Sequence, residues 1–499
     1  VKWASCILTC VLLGAPPAGF AGPEDSVVRI QSKVRYPSVL RPWTNQQPVE
    51  LAGTGTVIDG KRILTNAHLV LYATEVQVQP RRGGSKIDAK VEMVAPDMDL
   101  AILSVKDAKF FDKHAAVPRS EKLPKVQDNV SVYGFPVGGN DLSVTKGVVS
   151  RIDFGRYYPQ GLGLIVQVSA AVNPGNSGGP ALVGDRMIGI VTSRLNEGEN
   201  IGYIVPNREI DQFLEDIKDG RYDGKPSDTS GTDFHTLTNA ALRAYLKVED
   251  GVRGVLVSPP RRRPRDYPFE EFDVLTKIGP YEIDDDGMVQ LPDDLRVSFL
   301  CAVSREAKAG SVPVTLIRKG KRVEAKLPVG TRDDALMRDF KGDKPTYFIH
   351  GPLVFSPARG DAGGLYSRVR PDLSAVGSPL FTRFADRVDF PGEELVLVAS
   401  PMFQHKISKG YSDPVGQCVK DVNGQKVKNL AHLVTILRDS TDEFLVFRFV
   451  EQGSELLVFR RDEMERATDE ILEDNGISPA RRGSEEVVKL WKEKRKSAK

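Results

Sequence analysis

Ser177 lies in the stretch Asn173-Pro174-Gly175-Asn176-Ser177-Gly178-Gly179-Pro180, which can present a hydroxyl nucleophile beside backbone amides. A glycine two residues before the serine permits a tight backbone that aims the amides of Gly175 and Ser177 at one point. There they would stabilise the oxyanion of a tetrahedral intermediate, the oxyanion hole of an acyl-transfer site. Gly178, Gly179 and Pro180 leave the serine uncrowded and stop helix propagation. Taken by itself the octapeptide reads first as an ordinary turn between strands, the reading to prefer until partners appear. Two partners stand upstream: His68, after Thr65-Asn66-Ala67, and Asp99, at the head of Asp99-Leu100-Ala101-Ile102-Leu103. A serine needs a general base, and that base needs a carboxylate on its far nitrogen, so His68, Asp99 and Ser177 form the catalytic set. Asp97 is the competing carboxylate, placed second because it lies further from the apolar run.

These side chains require rigid elements behind them. Residues 55–64 read as strand, turn and strand, with Asp59-Gly60 as the hairpin signal, so His68 sits just after a buried strand. The apolar run after Asp99 reads as a core strand that would anchor its carboxylate. Residues 209–217 read as a helix with Ile210, Phe213, Leu214 and Ile217 on one face. Residues 224–231 then read as a linker.

With these motifs the sequence resembles the HtrA/Deg group of trypsin-like serine proteases. The resemblance rests on residues 53–58, 64–68, 99–103, 133–136 and 173–180, and is closed by Gly202-Tyr203-Ile204-Val205-Pro206. It implies a mainly β chain, with a chymotrypsin-like double β-barrel protease domain followed by PDZ-like α+β domains. It further implies ATP-independent proteolysis without metal or other cofactor. By the same resemblance Ala171 and Val172, with Ile190, Val191 and Thr192, would line the primary specificity pocket. No acidic residue lies in those segments, so cleavage after small or medium apolar residues is expected, since a buried cation would lack a counter-charge. One departure is Ser169, where relatives usually carry an aspartate four residues before the asparagine of the serine motif.

Behind the protease domain, residues 239–246 read as a short helix, followed by the strands 254–258, 272–279 and 312–320. That order resembles a PDZ domain, in which loop amides capture a peptide carboxylate and the next strand pairs with the peptide. Gly254, Val255 and Leu256 are the residues expected to bind the carboxylate, with packing alone as the alternative. A second, divergent PDZ-like unit shows a strand at 394–398, an Asn423-Gly424 hairpin, a helix over 430–437 and a strand at 444–449. The tandem resembles the plant-type Deg branch. The expected division is a signal segment over 1–21, protease domain 22–222, linker 223–235, first PDZ-like domain 236–332, connecting segment 333–390, second PDZ-like domain 391–475 and basic tail 476–499. The tail reads as a solvated helix end. Self-assembly into a closed homo-oligomer is implied by the resemblance.

Composition bounds the rest. The chain has 499 residues, is 40% hydrophobic and 27% charged, and carries a net charge of +2, which gives nucleic-acid binding no support. Lys2, an apolar stretch over 4–13 and Gly19-Phe20-Ala21 read as an export signal, placing the protein in a periplasm or outside the cell. An uncleaved membrane anchor is the alternative. The cysteines support neither a disulfide framework nor a metal site, and the six histidines are scattered. The expected function is degradation of unfolded or damaged proteins and peptides in protein quality control. The alternative is a chaperone-like or scaffold oligomer with a latent protease domain.

Overall fold

The computed structural model describes residues 22–80, 84–139, 141–157, 161–192, 201–228, 231–260, 263, 267–331, 335–384 and 386–493. The expected signal segment over 1–21 lies outside them, as do the last residues of the tail.

Twelve strands form two closed antiparallel barrels. The first holds β1 (Val27–Val34), β2 (Val49–Ile58), β3 (Arg62–Thr65), β4 (Ala73–Pro80), β5 (Ile87–Ala95) and β6 (Leu100–Val105), in the order β1-β2-β3-β6-β5-β4. The second holds β7 (Asn129–Gly134), β8 (Ser143–Arg156), β9 (Leu162–Val168), β10 (Pro180–Val183), β11 (Arg186–Thr192) and β12 (Gly202–Pro206), in the order β10-β11-β12-β9-β8-β7. The β2–β3 hairpin turns at Asp59-Gly60-Lys61, where Gly60 and Lys61 both take positive φ. Each barrel has its own apolar centre. A third cluster lies in the seam between them, joining Leu64, Leu100 and Ile102 to Leu182, Ile190 and Val205. The helix Asn207–Asp216 closes this seam by inserting Ile210 and Phe213, both fully buried. Leu214 and Ile217 pack at its margin.

The described residues of the stretch expected as a linker are structured. Lys225 is buried against Glu209 at 2.5 Å, Ser227–Asp228 pairs with Val329 and Gly330, and Asp233–Thr236 is the edge strand of the next sheet. That sheet continues through Val255–Ser258, Val274–Ile278, Ser311–Arg318 and Lys321–Gly330. The expected helix is present over Ala240–Tyr245, capped by the Asn239 side chain.

The last module reaches further in both directions than 391–475. Phe348–His350 pairs with Leu353–Pro357, which pairs with Val396–Val398, so part of the expected connecting segment builds the module's core. Phe348–His350 thereby covers the edge of the Leu353–Pro357 strand. The Asn423-Gly424 turn has both residues at positive φ, as a two-residue hairpin with type I′ geometry requires. The helix Leu430–Asp439, N-capped by Asn429, buries Leu430, Leu433, Val434 and Leu437. The basic tail is not simply solvated. Its helix Glu485–Lys492 buries Val487 and lays Trp491 against Phe348, His350 and the Arg482 guanidinium. Among the described residues no helix is long and apolar enough to cross a membrane.

Candidate active site

Asp99 begins the site. It is fully buried at the head of β6 and takes a left-handed φ of 52°, a conformation that aspartate tolerates better than most residues. Its carbonyl accepts from Asn66 Nδ2 at 2.9 Å, and its Oδ1 accepts from the His68 backbone amide at 3.0 Å. The two carboxylate oxygens each lie 2.9 Å from His68 Nδ1. Thr192, the last residue of β11, donates its hydroxyl to Asp99 Oδ2 at 2.8 Å. His68 is thus oriented by a carboxylate whose own position is set from both barrels.

Asp97 is turned elsewhere. It accepts from Tyr222 Oη at 2.6 Å and from the Lys225 amide at 3.2 Å, which ties it to the chain leaving the second barrel.

The loop carrying Ser177 is fixed on every side. Asn176 N–H bonds back to the Asn173 carbonyl at 3.0 Å across Pro174 and Gly175, and Gly175 has φ 99°, a type II turn. Glycine is required there, because a Cβ on Gly175 would lie 2.4 Å from the Phe135 carbonyl oxygen. The Pro174 carbonyl accepts from Val137 N–H at 2.8 Å. Since that peptide is planar and trans, the Gly175 N–H points away from Val137. The Ser177 carbonyl accepts from the Thr54 amide at 2.8 Å, and Gly178 N–H bonds to Val191 O at 2.8 Å. Ser177 itself is 2% exposed. Ser169, the departure noted in the sequence, pairs with β8: its Oγ accepts from Val148 N–H and its own amide donates to Val148 O, both at 3.0 Å.

The residues expected to line the specificity pocket divide. Ala171 and Val172 are half-buried beside the Ser177 loop. Ile190 and Val191 are fully buried in apolar clusters, and the Thr192 hydroxyl is engaged by Asp99. The sequence reading missed the Thr192 contact because its partner is far away in the chain.

The expected carboxylate loop of the first PDZ-like module is corrected. Gly254 N–H already donates to the Asp285 carboxylate at 3.2 Å, which is in turn paired with Arg243 and Arg253. Val255 and Leu256 pair with Asp233–Thr236 on one side and with Val274–Ile278 on the other, so they offer no free edge. The open edge belongs to Asp233–Thr236. Between it, the helix Leu300–Glu306 and the β8–β9 hairpin lies a cavity of about 460 Å³, lined in part by Phe154, Leu162, Thr232, Phe234, Leu300 and Val303. Cys301 is buried nearby and its thiol is pushed up to about 11, chiefly by burial, which makes it an inert apolar filler. Among the described residues no group of three or more His, Cys, Asp or Glu is arranged to hold a metal.

Comparison with known proteins bears on the whole chain. A model of the trypsin-like peptidase domain matches residues 53–190 and one of the PDZ domain matches residues 338–484. Protease Do-like 2, chloroplastic, of Arabidopsis thaliana is 32% identical over 465 residues, covering 92% of this chain and 74% of that protein. The chain belongs to the HtrA/Deg family of trypsin-like serine proteases. A second Arabidopsis thaliana relative, Protease Do-like 4, mitochondrial, is 32% identical over 462 residues, covering 91% of this HtrA/Deg chain and 84% of its own. The solved structure of the HtrA-type protease AlgW with a tripeptide has a TM-score of 0.48 at 21% identity, covering 62% of this chain and 95% of that one.

Proposed function

We propose that this protein is an ATP-independent endopeptidase that degrades unfolded or damaged chains through an acyl-enzyme. Ser177 Oγ attacks the scissile carbonyl, His68 takes its proton and returns it to the leaving amine, and Asp99 holds His68 in the productive tautomer. The amides of Gly175 and Ser177 receive the oxyanion. The observation that carries this reading is the buried Asp99 carboxylate placed 2.9 Å from His68 Nδ1, in a fold that sets Ser177 in a type II turn loop.

Cleavage after small or medium apolar residues fits the half-buried Ala171 and Val172 and the absence of an acidic side chain in residues 170–172 and 188–192. Such residues are exposed chiefly in unfolded chains, which accounts for the substrate class. The cavity beside Asp233–Thr236 is the place we assign to a peptide in the first PDZ-like module, in place of Gly254, Val255 and Leu256. Export, read from residues 1–21, and a closed homo-oligomer complete the proposal.

Wild-type protein is expected to take up a fluorophosphonate at Ser177 and to cleave unfolded casein, and Ser177→Ala to do neither while keeping its unfolding temperature. Casein cleavage undiminished in Ser177→Ala would sink the mechanism. A clear majority of cuts after Lys or Arg, read by mass spectrometry, would sink the specificity.

A further inference from the structure

Thr54 and Thr56 stand two apart on β2 and therefore on one face of the strand. Both are fully buried, and both reach across the seam between the barrels to the loop that carries the nucleophile. Thr56 Oγ1 donates to the Gly178 carbonyl at 2.9 Å, beyond the serine. Thr54 does more. Its hydroxyl donates to the Gly175 carbonyl at 2.7 Å and accepts from Phe135 N–H at 2.9 Å, and its backbone amide donates to the Ser177 carbonyl at 2.8 Å. Its own carbonyl is held by Thr65 Oγ1 at 2.8 Å. One residue of the first barrel thus grips the two residues whose amides receive the oxyanion, together with the opposite loop at Phe135.

The grip falls on the part of the loop least able to hold itself. Gly175 has no side chain to limit its backbone, and the peptides on either side can rotate about it unless their carbonyls are held. Val137 N–H holds the Pro174 carbonyl before Gly175, and Thr54 Oγ1 holds the Gly175 carbonyl after it. The Val137 bond sets the plane that carries the Gly175 N–H and the Thr54 bond sets the plane after it, so that together they fix the turn about Gly175. We propose that Thr54 is a positioning residue for the oxyanion hole, its hydroxyl keeping the Gly175 turn in the form whose amides face the developing charge. The proposal rests on the acyl-enzyme reading above.

Thr54→Val keeps the shape and removes both hydroxyl bonds, whereas Thr54→Ser keeps the hydroxyl. Thr468 supplies a matched control in the last module: it is fully buried, accepts from Gly351 N–H at 2.7 Å and donates to the Met464 carbonyl at 2.8 Å. Each variant is assayed on a chromogenic peptide with an apolar residue before the scissile bond, with rates referred to titrated active sites. Affinity for a peptide boronate, whose tetrahedral adduct places an oxygen in the oxyanion hole, is measured beside KM and thermal unfolding. Thr54→Val is expected to lose about a hundredfold in kcat, near the effect of deleting one oxyanion donor, with KM within about threefold. Boronate affinity should fall by a similar factor, Thr54→Ser should stay within about threefold of wild type, and Thr468→Val should lose stability with kcat unchanged. If Thr54→Val does not unfold cooperatively, Thr54→Ala is read in the same way on titrated sites. An active wild type with a valine or alanine variant unchanged in kcat and boronate affinity overturns the role of Thr54, as does a serine variant equally impaired. A wild type that neither labels nor cleaves overturns the acyl-enzyme reading and this one with it.

Discussion

Thr192 Oγ1 donates to Asp99 Oδ2 at 2.8 Å, so the carboxylate that orients His68 on one barrel is itself oriented by a hydroxyl from the other. Removing that hydroxyl from a buried, charged acceptor costs about 1.5 kcal/mol, which corresponds to about tenfold in rate. Thr192→Val is expected to lower kcat by that factor with KM unchanged, and Thr192→Ser to restore it. Steady-state kinetics on a peptide substrate check both.

The two aspartates before β6 should separate cleanly. Asp99→Asn leaves the shape intact but no longer favours the working tautomer of His68, and is expected to lose on the order of ten-thousandfold in kcat. Asp97→Asn instead replaces one of the two oxygens that accept from Tyr222 and the Lys225 amide by an NH2 donor. It should lower the unfolding temperature while kcat on titrated sites stays within about threefold, since the Asp97 carboxylate is engaged by Tyr222 and the Lys225 amide while Asp99 orients His68. Calorimetry alongside the same kinetic assay distinguishes the two outcomes.

What the sequence could show was set by distance along the chain. His68, Asp99 and Ser177 each sit beside an apolar strand or a glycine turn, and those local patterns point to their backbones. Thr54 and Thr192 act on groups in the opposite barrel, and no local period marks a threonine whose partner arrives from elsewhere. The first PDZ-like module misled for a related reason. Gly254 looks like the start of a carboxylate loop, but its amide is taken by Asp285, thirty-one residues on. The real edge strand, Asp233-Phe234-His235-Thr236, is too short and polar to stand out from a linker. The Asn423-Gly424 hairpin and the helix after Asn429 were legible because turn chemistry, cap and apolar face all agree within a few residues.

Glu209 and Lys225 form a buried pair at 2.5 Å, with side chains 5% and 7% exposed. Glu209 Oε1 also accepts from Leu164 N–H at 3.0 Å. Lys225→Met should destabilise the protein by about 3–5 kcal/mol by stranding a buried carboxylate, and adding Glu209→Gln should recover much of that loss. Urea unfolding of the two variants measures it.

Glu451 carries a pH dependence. It is buried, accepts from Ser378 Oγ at 2.7 Å and from the Cys418 amide at 3.0 Å, and burial raises its carboxyl above the ordinary value of 4.5. The folded chain therefore holds this proton more tightly than the unfolded one. Its contribution is fully present below pH 4.5 and is lost as pH rises through the higher folded value. Glu451→Gln should flatten that part of the stability profile, which thermal unfolding at stepped pH reads directly.

The loop between β1 and β2 sends Val39, Leu40 and Trp43 out of the first barrel and onto the last module, where the Trp43 ring lies 5.5 Å from Phe403 and 6.3 Å from Tyr347. A ribosome delivers that loop long before it delivers its seat. Until residue 403 emerges, an indole and two aliphatic side chains at the front of the nascent chain have no docking surface of their own, and a nascent chain at this stage offers them to chaperones and to its neighbours. The newborn protein is then, for a time, the kind of exposed chain that the finished one is proposed to cut.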